Sequence, residues 1–286
     1  MHRIEVPGAQ IAWAFSDESG PPVVQLHGLT SSRSRDRLLD LDLGRGLSDT
    51  RLLRYDARGH GHSTGRPVPE DYLWPTLADD LLHLLEVWFP GEQVHGVGPS
   101  MGAGTLLHAA VLEPDRFSGF TLLLPPTAWA TRAARAEEYR RAATLLEAHG
   151  IERMLAADAA APGPPAAAGR PDTVPHVAAD LLPAVYRGAA LSDLPTPEQI
   201  ARLTQPTTVL AWIDDPGHPI STAEALVSLM PNAALQVAST PDEVRRWPDV
   251  LAADIARSPL SAWCAHRPMS RGRVSNSGAG SARSRP

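Results

Sequence analysis

The sequence has no lysine; all 26 of its basic residues are arginine. With 28 prolines and abundant alanine, this is the coding bias of a GC-rich, bacterial genome rather than a functional choice. No Gly-Lys-Ser/Thr follows a glycine loop, which excludes a Walker phosphate site. A dinucleotide fingerprint fails as well, because Gly96-Val97-Gly98-Pro99-Ser100-Met101 breaks Gly-x-Gly-x-x-Gly at its last position. A single cysteine, Cys264, excludes an internal disulfide and a cysteine metal cluster. There is no His-Glu-x-x-His, no Cys-x-x-Cys and no carboxylate-rich calcium loop, so neither a metal nor a cofactor is expected. No apolar run reaches the roughly 18 residues that span a bilayer. Met1-His2-Arg3-Ile4-Glu5-Val6 lacks the apolar core of a secretory leader, so a cytoplasmic protein without membrane contact is expected. Acidic and basic residues are interspersed at a net charge of −6, which leaves no nucleic-acid surface.

What is present is a 286-residue chain, 43% hydrophobic, long enough for one large domain with an insertion. Arg3 to Val6 and Gln10 to Phe15 alternate around Pro7-Gly8 and predict a hairpin. Pro22 to Leu26 is a continuous apolar run, as expected of a strand buried on both faces, and Arg51 to Tyr55, Phe117 to Leu124, Thr207 to Ile213 and Ala234 to Ala238 read as further strands. Helices are expected over Arg33 to Leu43, Leu73 to Trp88, Thr222 to Met230 and Pro241 to Arg257; the second carries Leu77, Leu81, Leu84, Leu85 and Trp88 at spacings of three and four. The alternation predicts an α/β fold with a mostly parallel, doubly wound sheet. It stops between Thr127 and Gln205, where helical runs over Thr131 to His149 and Ala178 to Ala190 flank Pro162-Gly163-Pro164-Pro165. The chain therefore divides into a core over 1–126 and 206–260, an inserted helical cap over 127–205, and a disordered basic tail over 261–286.

The core is organised around Gly98-Pro99-Ser100-Met101-Gly102, which is Gly-x-Ser-x-Gly between an apolar strand and the helical run Thr105 to Leu112. A serine on such a strained strand-to-helix turn needs small neighbours, because a side chain at Gly98 or Gly102 would meet the adjoining strand or helix. The Met101 N–H lies at a helix start, directed where an oxyanion would form.

The order of motifs resembles the α/β-hydrolase superfamily: His27-Gly28 after the third strand, Asp56-x-Arg58-Gly59-His60-Gly61-x-Ser63 after the fourth, Gly98-x-Ser100-x-Gly102 after the fifth, and Trp212-Ile213-Asp214-Asp215-Pro216-Gly217-His218-Pro219 as an acid-bearing loop. The resemblance spans residues 3 to 257 and puts the insertion where that family carries its lid. It implies that Ser100 is a nucleophile forming a covalent acyl intermediate, and that the Leu29 and Met101 N–H groups form the oxyanion hole. It gives His27 and Gly28 a supporting role and makes Asp56, Arg58 and Ser63 a bracing network. The acid is Asp215 or Asp214; counting along the pattern favours Asp215.

The pattern fails at one point. The family carries its histidine after the last strand, yet Ser239-Thr240-Pro241-Asp242-Glu243 follows here, and no histidine lies between His218 and His266. A serine hydroxyl is a poor nucleophile without a base. Three histidines remain: His218, three residues past Asp215, then His62 in the loop after the fourth strand, then His266 near the tail. Two functions follow. In the first, a serine hydrolase acts on a small ester or thioester acyl substrate through Ser100, Asp215 and His218. In the second, a hydrolase-fold protein that has lost turnover binds a small ligand or regulates.

Overall fold

The structure is a computed structural model that describes residues 2–158, 163–171 and 173–257. Eight strands form one sheet: β1 His2–Val6, β2 Ala9–Asp17, β3 Pro22–Gln25, β4 Arg51–Tyr55, β5 Val94–Pro99, β6 Phe117–Leu123, β7 Thr207–Trp212 and β8 Ala233–Ala238. Their spatial order is β1-β2-β4-β3-β5-β6-β7-β8. The β1–β2 and β2–β4 pairs are antiparallel and every later pair is parallel. The hairpin turns at Pro7-Gly8 as expected, with Gly8 at a φ of 80° that a side chain would strain.

Alternate residues of the parallel strands go to opposite faces, and both faces are covered, which is why these strands read as near-continuous apolar runs. Val24, Leu53, Phe120, Leu122 and Val209 pack under helices α2 Trp74–Trp88, α3 Met101–Leu112 and α7 Ile220–Leu229. Val23, Leu52, Val97, Leu123 and Leu210 face the other way, toward Leu43 and helices α8 Pro241–Val244 and α9 Trp247–Arg257. The helix expected from Arg33 to Leu43 is only α1, Arg33–Leu38, because Asp40 turns left-handed at φ 53°. The single helix expected over Pro241 to Arg257 is two, since Pro248 has no N–H to give the Val244 carbonyl.

Between β6 and β7 the described residues hold helices α4 Arg132–Asp158, α5 Leu182–Leu191 and α6 Pro197–Ile200, and no strand. Gly150, at φ 76°, breaks α4 close to the expected end at His149. Leu146, Leu181, Leu182 and Val185 bury against one another and against Tyr72 of the core. Arg132 holds the entry and exit of this segment together, donating from Nε to the Ser192 carbonyl at 2.6 Å and from Nη2 to Ala189. The disordered tail expected at 261–286 lies outside the described residues. Among the described residues no helix is long and apolar enough to cross a membrane.

Candidate active site

The carboxyl ends of β3, β5 and β7 open on the same edge of the sheet, where ligands of open α/β folds sit. From β5 the chain enters α3 through Ser100, whose φ of 52° and ψ of −111° are a strained conformation for a residue with a side chain. The turn is held by the Ser100 N–H on the Leu123 carbonyl at 2.9 Å and by the Gly104 N–H on the Ser100 carbonyl at 3.0 Å. The flanking glycines are required by packing. A Cβ at Gly98 would lie 3.0 Å from Leu26 Cβ, and one at Gly102 would lie 2.9 Å from Leu26 Cβ and 3.0 Å from the His27 carbonyl. Gly28 differs: its Cβ would meet nothing closer than 3.8 Å, so no contact demands glycine there. Gly104 lets α3 seat on Trp74, whose ring would be 2.6 Å from a Cβ.

From β7 the chain runs through Ile213 and Asp214 into a tight turn, closed by the His218 N–H on the Asp215 carbonyl at 3.1 Å. Pro216 presets the first corner of that turn. A Cβ on Gly217 would press on Arg135 Nη2 and Asp215 Oδ1, both at 3.2 Å. The turn swings the His218 ring back over its own acid. His218 Nδ1 lies 2.8 Å from Asp215 Oδ2, and His218 Nε2 lies 2.9 Å from Ser100 Oγ. A carboxylate can only accept, so Nδ1 carries the proton and Nε2 is left to accept from the serine hydroxyl. Asp215 also receives the Trp212 indole N–H at 2.6 Å and the Gly217 N–H at 2.9 Å. Burial alone would raise its carboxyl, but the hydrogen bonds from His218, Trp212 and Gly217 hold it well below the usual carboxylate range. Asp214 is exposed at a left-handed φ of 58° and does not share these contacts.

Of the other histidines, His62 sits 3.4 Å from Asp56 Oδ2 with about half of its side chain exposed, and is not part of the Ser100 constellation. His266 is outside the described residues. His27 has both ring nitrogens engaged: the Ala57 N–H donates to Nε2 at 2.9 Å and Nδ1 donates to the Gly28 carbonyl at 2.8 Å. Burial lowers its pKa, so it stays neutral and orients the loop that follows β3. Asp56 accepts from the Arg33 backbone N–H at 2.9 Å and from the Arg33 guanidinium at 3.1 Å, tying down the start of α1. Ser63 Oγ donates to the Asp56 carbonyl and accepts from the Ala12 N–H at 2.8 Å. Arg58 makes a buried two-pronged pair with Asp80 of α2 at 2.6 and 2.7 Å. These residues brace β2, α1 and α2 around the elbow and touch neither Ser100 nor His218.

Ser100 and His218 open into a cavity of about 280 Å³, also lined by Gly28, Leu29 and Trp212. The Leu29 N–H is in the turn closed by the Ser31 N–H on the Gly28 carbonyl at 3.1 Å, and Met101 is the first residue of α3, whose leading amides have no acceptor within the helix. Such a site can take a proton from a hydroxyl, direct the resulting nucleophile at a carbonyl and offer two backbone donors to the oxygen. Among the described residues no group of three His, Cys, Asp or Glu side chains is placed to hold a metal.

A family model described as alpha/beta hydrolase fold matches residues 21–162. The chain has the α/β-hydrolase fold. Solved structures agree: a hydrolase from Pseudomonas aeruginosa PA01 is 23% identical with a TM-score of 0.71, over 89% of this chain and 96% of that one. A thermophilic esterase from Thermogutta terrifontis is 20% identical with a TM-score of 0.69, over 89% and 99%. The enol-lactonase from Burkholderia xenovorans LB400 is 18% identical with a TM-score of 0.67, over 89% and 100%. Identities this low speak for the fold alone. No curated protein matches the sequence.

In this α/β-hydrolase-fold protein the end of β8 is used for another purpose. Thr240 and Glu243 form a capping box that starts α8, and Glu243 accepts the Ser239 N–H at 2.6 Å. The imidazole at Ser100 comes instead from the β7 turn. Sequence reasoning missed Trp212 as a donor to the acid, although its spacing of three residues from Asp215 was visible. It also missed the arginines that face the cavity, which have no motif.

Proposed function

We propose that the protein is a serine hydrolase that cleaves a small ester or thioester through an acyl-Ser100 intermediate, with His218 as base and Asp215 as its orienting acid. The observation that carries this reading is the continuous hydrogen-bonded line from Ser100 Oγ through His218 to Asp215, at 2.9 and 2.8 Å. Ser100 Oγ attacks the substrate carbonyl while His218 Nε2 takes its proton. The carbonyl oxygen becomes an oxyanion facing the Leu29 and Met101 N–H groups. Its collapse expels the alcohol or thiol, which leaves with the proton held by His218. A water then gives its proton to His218, attacks the acyl carbon, and releases the acid and Ser100. Asp215, held ionised, keeps the ring in the required tautomer and stabilises the imidazolium that forms twice per turnover.

Residues 127–205 act as a cap in this reading, because Arg135 and Tyr139 of α4 and Arg170 beyond it roof the same cavity as Ser100. The reaction takes place on a small-molecule substrate in the cytoplasm. The reading in which turnover is lost rested on the missing base, and the His218 geometry supports the hydrolase reading over it.

The test is turnover of short p-nitrophenyl esters and labelling by a fluorophosphonate probe in the wild type, Ser100→Ala and His218→Ala. Labelling should require Ser100, and His218→Ala should lower kcat by roughly 10⁴ to 10⁶, as loss of a triad histidine does elsewhere. Turnover that survives Ser100→Ala would discard the nucleophile. A folded wild type with neither labelling nor turnover would favour the binding module.

A further inference from the structure

The roof of the Ser100 cavity is cationic, and its cations are incompletely partnered. Arg35 of α1, Arg135 of α4 and Arg170 come from three separate segments and line one space of about 280 Å³. Two of them hold buried donors that reach no acceptor: Arg135 Nε and Arg170 Nη2. Arg170 makes no ion pair with a described residue and lies with its guanidinium carbon 4.8 Å from the centre of the Trp212 ring, the same ring that donates to Asp215. Arg135 is paired with Glu138 at 2.7 Å through one nitrogen and lies beside Gly217 in the turn that carries His218. Arg35 is held by neutral oxygens, from Nε to Thr173 Oγ1 at 2.9 Å and from Nη1 to the Thr30 carbonyl at 3.0 Å. Against these cations the cavity lining offers a single carboxyl besides the Asp215 turn, that of Asp36, which burial raises to about 7 and which is bonded to Ser31. Burial lowers Arg35 and Arg170, whereas Arg135 is raised, because Tyr139 and Glu138 outweigh its burial.

Three guanidinium groups around one cavity, with Asp36 as the single lining carboxyl, favour an anionic ligand there. Guanidinium forks match a carboxylate in shape and charge. We propose that the substrate is an ester or thioester whose acyl part carries its own carboxylate, a half-ester of a short dicarboxylic acid, with that carboxylate held by Arg135 and Arg170 while the ester carbonyl lies at Ser100. This rests on the serine hydrolase reading above and narrows it. The overall reaction adds one water to the half-ester and yields the dicarboxylate, the alcohol and a proton. Trp212 ties the two ends of the site together, since one face of its ring carries the Arg170 guanidinium and its N–H holds the acid.

The experiment compares p-nitrophenyl hemiglutarate with the neutral p-nitrophenyl valerate of similar length. In the wild type kcat/KM should favour the hemiglutarate at least tenfold, and the preference should shrink as salt screens the guanidinium groups. Arg170→Met and Arg135→Met should each reduce the ratio of the two kcat/KM values about tenfold, and Arg170→Lys should restore part of it. A wild-type ratio near one, or a ratio untouched by both Met variants, overturns the proposal. A second arm does not depend on turnover: calorimetric binding of glutarate to Ser100→Ala protein, expected at millimolar affinity or tighter and lost in Ser100→Ala/Arg170→Met. If no ester is hydrolysed, the hydrolase reading fails, while glutarate binding still decides the anion site. Absence of glutarate binding overturns it.

Discussion

At the scale of single residues, the site depends on what each atom is free to accept. Asp215 has three donors, and the shortest is the Trp212 indole at 2.6 Å. A hydrogen bond to a charged group contributes about 1.5 to 3 kcal/mol. Trp212→Phe keeps a ring for Arg170 to lie against and removes that one donor, so kcat on a p-nitrophenyl ester should fall about tenfold while the protein stays folded. An unchanged kcat would mean the indole does not orient the acid. Asp36 offers a residue-level test through pH. Its folded pKa of about 7, raised by burial, lies above the value of 3.8 usual for the free side chain. The fold therefore favours the protonated form. That contribution is complete below about pH 4 and is lost as pH rises through about 7. Asp36→Asn should leave stability at pH 4 nearly unchanged and raise it by about 2 to 4 kcal/mol at pH 8, read from urea midpoints. A variant less stable than wild type at pH 8 would show that the ionised carboxylate is well solvated or paired.

At the scale of elements, the elbow is a problem of space between β3, β5 and α3. Gly102→Ala forces a methyl group to 2.9 Å from Leu26 Cβ and 3.0 Å from the His27 carbonyl. Overpacking of this kind costs about 1 to 3 kcal/mol. Gly28→Ala meets nothing closer than 3.8 Å and should leave the urea midpoint within experimental scatter of wild type. Equal losses at both positions would mean that the Gly28 loop is constrained by something other than contact. Most of this level was legible from the sequence. Gly-x-Ser-x-Gly between a strand and a helix states its own geometry, because a strained turn and its glycines are local. The positions of β3, β5 and β7 followed from apolar runs, because burial on both faces removes polar residues from them. Helix ends were less legible: Asp40 at a left-handed φ looks in sequence like any loop aspartate, and it is what shortens α1.

At the scale of the whole molecule, what the sequence left open was a distance. His218 is 118 positions from Ser100, and no pattern along the chain says that a turn after β7 brings its ring to 2.9 Å from the serine. The arginines were illegible for the same reason, since Arg35, Arg135 and Arg170 meet only when the insertion folds back over the sheet. The same scale sets the acid limit of stability. Asp56 is held down to about 2: burial opposes this, and the hydrogen bonds and charge of Arg33 outweigh it. A lowered carboxyl contributes stability above about pH 4 that is lost as pH falls through about 2. Asp56→Asn should therefore be destabilised at pH 7 and approach the wild type near pH 2, as followed by thermal melting. A constant difference at every pH would assign its role to packing.

The tight turn from Asp215 to His218 has a consequence for how freely the rest of the chain can change. When acid and base come from two strand ends, the pairing of those strands must be right before the proton can move. Here both ride on four consecutive residues, and every group named in the reaction falls between Leu29 and His218. In the proposed reaction, strand β8 and helices α8 and α9 take no part. New chain ends cut into the link before β8, or substitutions along that edge, can be absorbed as long as β7 stays covered. The fragment Asp-Pro-Gly-His becomes a movable part, separable from the β8 edge of the sheet.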